Sequence, residues 1–154
     1  MIKKVTLALT LALTASLASA ATTATAADHP VREIWGKGKE ACPKQAVCLY
    51  QDSDYNNDSH DGRGRRIWVI TGSTTTIPGG DNEASSVYAN IDFPYSSVEL
   101  YEHHDFGGRY VTNTGGSERG TLKGVHVTPS GDGWAVNFND TISSVKFTRY
   151  DEGF

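Results

Sequence analysis

The chain carries two copies of the same pair of short motifs, and this repeat constrains its fold more than any other feature. The first motif is VCLYQDSDY at residues 47–55 and returns as VELYEHHDF at residues 98–106, with Val, Leu, Tyr and Asp at matching places and an aromatic at the end. The second motif is DNEASSV at residues 81–87 and returns as NDTISSV at residues 139–145. Because both motifs recur in the same order, the sequence predicts a domain with two similar halves.

Short segments rich in β-branched and aromatic residues surround these motifs, and glycine-containing turns such as Gly79-Gly80 and Gly107-Gly108 separate them. A helical hydrophobic period is absent from residue 21 onward. This spacing of short strands predicts an all-β, antiparallel sandwich of two sheets. The predicted strands cover residues 47–50, 66–70, 98–101, 110–112, 125–127 and 144–148.

Each copy of the first motif places two aromatic residues five positions apart. The pairs are Tyr50 with Tyr55 and Tyr101 with Phe106. Such a pair can stack across a folded hairpin and close it. A residue with positive φ is then expected two positions after the second aromatic, which is Gly108 in the second copy and Asn57 in the first.

Residues 1–20 have the features of a secretory signal peptide. Lys3 and Lys4 precede an uncharged segment rich in Leu and Ala at residues 5–17, and small residues at 18–20 predict cleavage before Ala21. The apolar run is shorter than the roughly 20 residues that span a bilayer, which argues against a membrane anchor. We therefore expect a secreted protein with a signal peptide at residues 1–20, a leader at 21–41 and a domain at 42–154. The leader is expected to be loose up to residue 40, with Ile34 and Trp35 as the side chains that pack on the domain.

The charge balance argues against nucleic acid as a partner. Removal of residues 1–20, which contain two lysines and no acidic residue, takes the formal net charge from −4 to −6. An acidic exported chain is a poor ligand for a polyanion. The basic cluster of Arg63, Arg65 and Arg66 beside a predicted strand is expected to form a solvated face, and no segment from residue 21 onward could span a membrane.

The two cysteines, Cys42 and Cys48, are only six positions apart. In an exported chain such a pair is best explained by a disulfide. Closing so short a loop restrains the unfolded chain by about 2 kcal/mol, so the bond pins the first strand rather than replacing a core. A zinc site is disfavoured because no second cysteine pair completes it.

Each copy of the second motif offers carboxylate and amide oxygens followed by serine hydroxyls. Hard cations such as Ca²⁺ take six to eight oxygen ligands from groups of these kinds. Two copies at matching places of a repeat therefore favour a pair of calcium sites. The alternative is a pair of serine-stabilised turns that bind no metal.

Together the two motifs resemble the βγ-crystallin Greek-key family, whose pattern is aromatic-x₄-aromatic-x-Gly followed by N/D-N/D-x-x-S/T-S. Residues 101–108 with 139–144 match this pattern fully, and residues 50–57 with 81–86 depart from it only at the glycine, where Asn57 stands. The resemblance covers about residues 42–149 and implies one two-sheet domain with two calcium sites. Its two Greek keys are expected at about residues 42–90 and 96–150.

The resemblance also implies a set of calcium ligands, drawn at each site from both halves. Hydroxyl ligands would be Ser85 and Ser143, backbone carbonyl ligands Glu83 and Thr141, and side-chain ligands to the opposite site Asn82 and Asp140. The same stretches include Asp81 and Asn139, and the backbone oxygens of Gln51 and Glu102 are further candidates. Because Asn82 is neutral where Asp140 is charged, the two sites are expected to differ in affinity.

Residues 42–50, which read Cys-Pro-x₃-Val-Cys-x-Tyr, resemble the opening of secreted bacterial metalloproteinase inhibitors with the same fold. Those inhibitors often have another disulfide that braces the reactive loop. This chain has no further cysteine, so the resemblance implies inhibition without assigning a loop. Small secreted antifungal or toxin-like proteins also share the fold, which leaves cell-wall binding open. The expected partner of a monomeric protein is thus a secreted protease or a cell-wall polysaccharide.

Motifs for catalysis are missing. The sequence has neither Gly-x-Ser-x-Gly nor His-Glu-x-x-His. Neighbouring residues on a strand face opposite sides, so His103 and His104 are expected to be solvated rather than to bind a metal together. An EF-hand-like opening at residues 52–56 lacks the required glycine and glutamate, since Asn57 and Arg63 stand there. We predict no catalytic residues and no cofactor other than Ca²⁺.

Overall fold

The computed structural model describes residues 30–57, 62, 64–129 and 135–150, and within them it is an all-β sandwich. The predicted signal peptide and its cleavage position lie outside these residues. The strands are β1 (Val31–Gly36), β2 (Ala46–Tyr50), β3 (Arg65–Ile70), β4 (Ser86–Asn90), β5 (Tyr95–His103), β6 (Gly107–Thr114), β7 (Glu118–Arg119) and β8 (Ser144–Arg149). They form two antiparallel sheets with the orders β1-β3-β2-β4-β7 and β6-β5-β8, which confirms the predicted fold class.

The sequence repeat is visible in the strand pairing. In the first half β2 lies between β3 and β4, and in the second half β5 lies between β6 and β8. A short piece of each half crosses to the other sheet: β7 pairs with β4, and Thr74 forms a bridge with Val145 in β8. Each sheet is therefore completed by the opposite half, as expected for two Greek keys.

Strand β1 lies in the segment that the sequence predicts as a leader. It pairs with β3 from Val31 opposite Ile70 to Gly36 opposite Arg65, so the interpretation as a loose segment is wrong for residues 31–36. The ladder of backbone hydrogen bonds fixes this segment although its sequence is partly polar.

Only one of the two apolar side chains expected to pack from this segment does so. Ile34 packs against buried residues of the sheet, whereas Trp35 is 65% exposed. The two residues are neighbours on a strand, and neighbours point to opposite faces of the sheet.

Two further strand predictions differ from the structure. The strand expected at residues 125–127 is reduced to a bridge between Val125 and Val136. Strands β4 and β7 are absent from the predicted set. In β7 only two residues pair, which is too short for a hydrophobic period to register.

The main core lies between the two sheets, where Leu49, Trp68, Leu100 and Phe138 are fully buried. A smaller cluster covers the outer face of the first sheet and includes Tyr50, Ile67 and the disulfide between Cys42 and Cys48. The predicted disulfide is confirmed. It holds the segment before β2 against that sheet and so extends the buried area beyond the sandwich interior.

Candidate functional site

Both aromatic hairpins form as the repeat predicts. The ring centroids of Tyr50 and Tyr55 are 5.5 Å apart in an edge-on contact, and those of Tyr101 and Phe106 are 5.7 Å apart. Gly108 has a φ of 78°, which confirms the expected left-handed position in the second hairpin.

The matching expectation for the first hairpin is wrong, because Asn57 has a φ of −68°. The left-handed residues come earlier and include Asn56, whose φ is 63°. The buried Asn56 amide donates to Gly36 O and Arg66 O, and its carbonyl oxygen accepts from the Asp52 N–H. These bonds hold the first hairpin, which has no left-handed residue at the position that matches Gly108.

The second serine of each Ser-Ser pair clamps its hairpin from inside the protein. Buried Ser86 donates from Oγ to Asp52 O at 2.7 Å and accepts from the Tyr55 N–H at 3.1 Å. Buried Ser144 makes the same two bonds, to His103 O at 2.6 Å and from the Phe106 N–H at 3.1 Å. The sequence motif marks both serines of each pair, but only the first is left to face a site.

The two oxygen-rich stretches meet across the centre of the molecule. Asn82 and Asp140 have φ values of 56° and 53°. The Asn82 N–H donates to Ile142 O at 3.1 Å, and the Asp140 N–H donates to Ala84 O at 2.9 Å. This reciprocal pairing carries each of the two side chains to the opposite half, as the resemblance implies.

The first cleft is an open cavity of about 590 Å³. Its lining residues are Gln51, Asp52, Arg66, Asn82, Glu83, Ser85 and Asp140. Ser85 Oγ lies 3.5 Å from Asp140 Oδ1 and 3.3 Å from Asn139 Nδ2, while Asn139 Oδ1 is buried without a hydrogen-bond partner among the described residues. The Asp140 carboxylate and the Ser85 hydroxyl thus meet in this cleft with the Asn139 side chain beside them, although Asp81 does not line it.

The second cleft has a volume of about 560 Å³. Its lining residues are Asp81, Asn82, Glu102, His103, His104, Thr141 and Ser143. Ser143 Oγ lies 3.3 Å from Asn82 Oδ1 and 2.9 Å from Glu102 O. The exposed His104 lies 3.3 Å from Asp81 through its Nε2, a contact that the sequence did not predict.

The donor chemistry of both clefts fits a hard cation, because residues with hydroxyl, carboxylate and amide side chains line each of them. Within the described part of the chain, no group of three or more His, Cys, Asp or Glu side chains is arranged to hold a metal ion. Calcium here would therefore rely on serine and backbone oxygens. In the second cleft Arg109 hydrogen-bonds the Glu102 carboxylate and lowers its pKa, which leaves the backbone oxygen of Glu102 for the cleft.

A second candidate site lies at the other end of the sandwich, in a loop at residues 92–95 that we call the aromatic loop. Phe93 is 77% exposed and stacks on Tyr150, with ring centroids 6.3 Å apart and planes 21° from parallel. A groove of about 440 Å³ runs beside this pair and is lined in part by Tyr95 and Ser96.

The aromatic loop is braced by the segment that the disulfide closes. Gln45, between Cys42 and Cys48, donates from Nε2 to the Asp92 carboxylate and to Phe93 O. The Tyr95 N–H donates to Asp92 O at 3.0 Å, and the Tyr150 N–H donates to Pro94 O at 3.2 Å. Sequence reasoning missed this loop because its bracing depends on residues far apart in the chain.

Residues 37–113, half of the chain, match the sequence profile described as peptidase inhibitor family I36. The chain belongs to this family. Membership of the I36 family identifies it as a non-enzymatic binding protein, in agreement with the missing catalytic motifs. The family and the disulfide also point to an extracellular protein. Among the described residues, no helix is long and apolar enough to cross a membrane.

The fold of this I36-family chain can be compared with solved structures. A chain from work on "Evolution of the eye lens beta-gamma-crystallin domain fold" is 20% identical, with a TM-score of 0.52 over 79% of this chain and 99% of its own length. A double mutant of a βγ-crystallin domain from Clostridium beijerinckii is 22% identical, with a TM-score of 0.41 over 68% of this chain and 98% of its own. The first match confirms the βγ-crystallin fold, and no protein with a curated description matches the sequence.

Proposed function

We propose that the protein is a secreted peptidase inhibitor that inserts its aromatic loop into a peptidase cleft and binds calcium at the opposite end to stabilise the fold. The observation that carries this proposal is Phe93, a large apolar side chain that is 77% exposed on a loop held by hydrogen bonds. Membership of family I36 supplies the peptidase as the kind of partner.

An exposed aromatic on a rigid loop suits inhibition for two physical reasons. Buried aromatic anchors carry a large share of the binding energy at protein interfaces. A loop that is already ordered also avoids most of the entropy cost of ordering on binding. Gln45 provides that order, because its side chain ties the loop to the disulfide-closed segment.

The chemistry of the loop favours a peptidase with an apolar specificity pocket. Phe93 offers no charge to a pocket, and the acidic side chain beside it, Asp92, is engaged by Gln45. A thermolysin-like metallopeptidase meets this description and agrees with the resemblance of residues 42–50 to metalloproteinase inhibitors. The protein is expected to act as a monomer, with one loop for each peptidase molecule.

Inhibition is tested by measuring peptide hydrolysis by a thermolysin-like enzyme at micromolar concentrations of the protein. Phe93→Ala is expected to raise the inhibition constant about 30-fold, which corresponds to about 2 kcal/mol for an aromatic anchor. Trp35→Ala is the matched control, because Trp35 is also an exposed aromatic but lies on β1. Unchanged hydrolysis with the wild-type protein would contradict the proposal, and binding to chitin or bacterial wall in its place would favour a wall-binding module.

Calcium binding is supported by the oxygen donors that converge in each cleft. Calcium at a hundred times its dissociation constant adds about 2.7 kcal/mol per site to the free energy of unfolding. Millimolar calcium is therefore expected to raise the melting temperature by about 5–10 °C.

The test replaces the side chains that each half sends to the other. Asn82→Gly and Asp140→Gly remove one oxygen donor each, and glycine accepts their left-handed backbone without strain. The double variant is expected to lose the rise in melting temperature, which scanning calorimetry measures with and without a chelator. A melting temperature that is equal in both conditions for the wild-type protein would rule out calcium binding.

Export is the remaining element of the proposal. Its support is the signal-peptide pattern of residues 1–20, together with the disulfide. Expression with the native leader, followed by amino-terminal sequencing of the culture supernatant, is expected to give a chain beginning at Ala21. Retention of the whole chain inside the cell would contradict export.

A further inference from the structure

The two halves carry an arginine at the same place beside the two clefts. Ile67 pairs with Tyr50 in the first half, and Tyr110 pairs with Tyr101 in the second. The residues that precede Ile67 and Tyr110 are Arg66 and Arg109. The N–H of each arginine donates to the side chain that follows the tyrosine, to Gln51 Oε1 at 3.4 Å and to Glu102 Oε2 at 3.0 Å.

The guanidinium groups nevertheless point to different partners. In the second half, Arg109 turns back to the Glu102 carboxylate through Nε at 3.0 Å and also through Nη2. In the first half the equivalent side chain is the neutral Gln51, which offers no opposite charge. Arg66 instead pairs with the Glu83 carboxylate and donates from Nη1 to Gly79 O at 3.2 Å.

This difference places an arginine in the lining of only one of the two clefts, among the residues that the structure describes. Arg66 lines the first cleft together with Ser85 and Asp140, and among the described residues that line the second cleft none is an arginine. The Arg66 guanidinium also lies 5.4 Å from the centroid of the Trp68 ring, a contact that holds it in place. It is thus a fixed part of the cleft wall and not a freely moving surface side chain.

We propose that Arg66 weakens calcium binding in the first cleft, so that the second cleft fills first. This inference rests on the calcium binding proposed above. Ligand charge alone predicts the opposite order, because the side chain that reaches the serine of the other half is the Asp140 carboxylate in the first cleft and the neutral Asn82 amide in the second. The Arg66 guanidinium holds the Glu83 carboxylate of the same cleft in an ion pair, so this carboxylate is withheld from calcium and a positive charge stands beside the site. Gln51 stands where the second half has Glu102, and because it carries no charge, Arg66 pairs with Glu83 instead.

The experiment is calcium titration by isothermal calorimetry in variants that retain one cleft. Asn82→Gly removes the amide oxygen that reaches Ser143 in the second cleft and keeps the Asp140 carboxylate beside Ser85 in the first, and Asp140→Gly does the reverse. Adding Arg66→Gln to Asn82→Gly is expected to tighten the calcium dissociation constant by about tenfold, as an order of magnitude for removal of one nearby charge. Adding it to Asp140→Gly is expected to leave the constant unchanged.

Lys39→Gln is the matched control, because Lys39 also belongs to an ion pair but lines neither cleft. The inference is overturned if Arg66→Gln leaves the first cleft unchanged while calcium binds, or if Lys39→Gln tightens binding equally. If the wild-type chain takes up no calcium and Arg66→Gln alone gives binding, Arg66 weakens the first cleft as inferred, but the order in which the clefts fill and the proposed calcium function both fail. If neither binds, both fail, and peptidase inhibition is still judged by Phe93→Ala. Thermal unfolding of each variant confirms that it is folded.

Discussion

At the scale of single residues, the Ser-Ser pairs divide two tasks between adjacent side chains. Ser85 and Ser143 face the clefts, whereas Ser86 and Ser144 are fully buried and join the hairpins to the sheets. The division follows from strand geometry, since successive side chains point to opposite sides. Two serines that look equivalent in the sequence therefore differ in what their loss affects.

Ser86→Ala is expected to lower the free energy of unfolding by about 1–3 kcal/mol, because Asp52 O and the Tyr55 N–H lose their shared partner. The rise in melting temperature with calcium is expected to persist in this variant. Ser85→Ala is the matched control and is expected to show the reverse, with a small loss of stability and a smaller calcium response. Urea denaturation with and without calcium measures both quantities, and equal effects of the two substitutions would contradict the division.

At the scale of single elements, β1 is the one strand in the described part of the chain without a counterpart in the other half. It extends the first sheet and precedes the segment that matches family I36, which begins at residue 37. Val31 packs against the main core, and Ile34 packs against the smaller cluster that includes Ile67 and the disulfide. The strand therefore belongs to the folded domain although it lies outside the repeat.

Ile34→Ala is expected to reduce the free energy of unfolding by about 1 kcal/mol, because a half-buried side chain loses part of its apolar contact. Trp35→Ala, one residue further along and 65% exposed, is expected to change it by less than about 0.5 kcal/mol. The two are compared by urea denaturation of the folded protein. A larger effect for Trp35 than for Ile34 would mean that the strand packs the other way round.

At the scale of the whole molecule, the two candidate sites lie at opposite ends of the sandwich. Strand β5 begins at Tyr95 beside the aromatic loop and ends at His103 in the second cleft, a distance of about 25 Å for an extended strand of this length. The disulfide lies near the loop end, where Cys42 O accepts from the Asn90 side chain. Calcium and peptidase would therefore act on separate ends of one rigid body.

The double substitution Cys42→Ser, Cys48→Ser is expected to reduce the free energy of unfolding by about 2 kcal/mol. It is also expected to weaken peptidase inhibition, because Gln45 is no longer held against the aromatic loop, while the gain in stability with calcium remains. Phe93→Ala is expected to weaken inhibition without the loss of stability. Inhibition that survives removal of the disulfide unchanged would show that the brace is unnecessary.

The features that the sequence predicts are those encoded by neighbouring residues. The aromatic hairpins, the exchange of Asn82 and Asp140 and the disulfide all follow from short motifs and their repetition. The aromatic loop depends on Gln45 meeting Phe93 from far along the chain, which no local pattern records. The Arg66 side chain was expected on a solvated face, but it is half-buried in a cleft because of the partner at residue 83; Arg63 of the same cluster lies outside the described residues.

Each half of the chain contributes a short segment to the sheet of the other half, and this sharing limits what one half could form by itself. Because β7 completes the first sheet and the residues around Thr74 meet β8, neither half could close its own sheet in isolation. A peptide with a single half would have an uncovered edge on its sheet, and a second identical peptide could pair with that edge. The present chain thus corresponds to such a pair joined end to end, and its halves differ at matching positions such as Gln51 and Glu102.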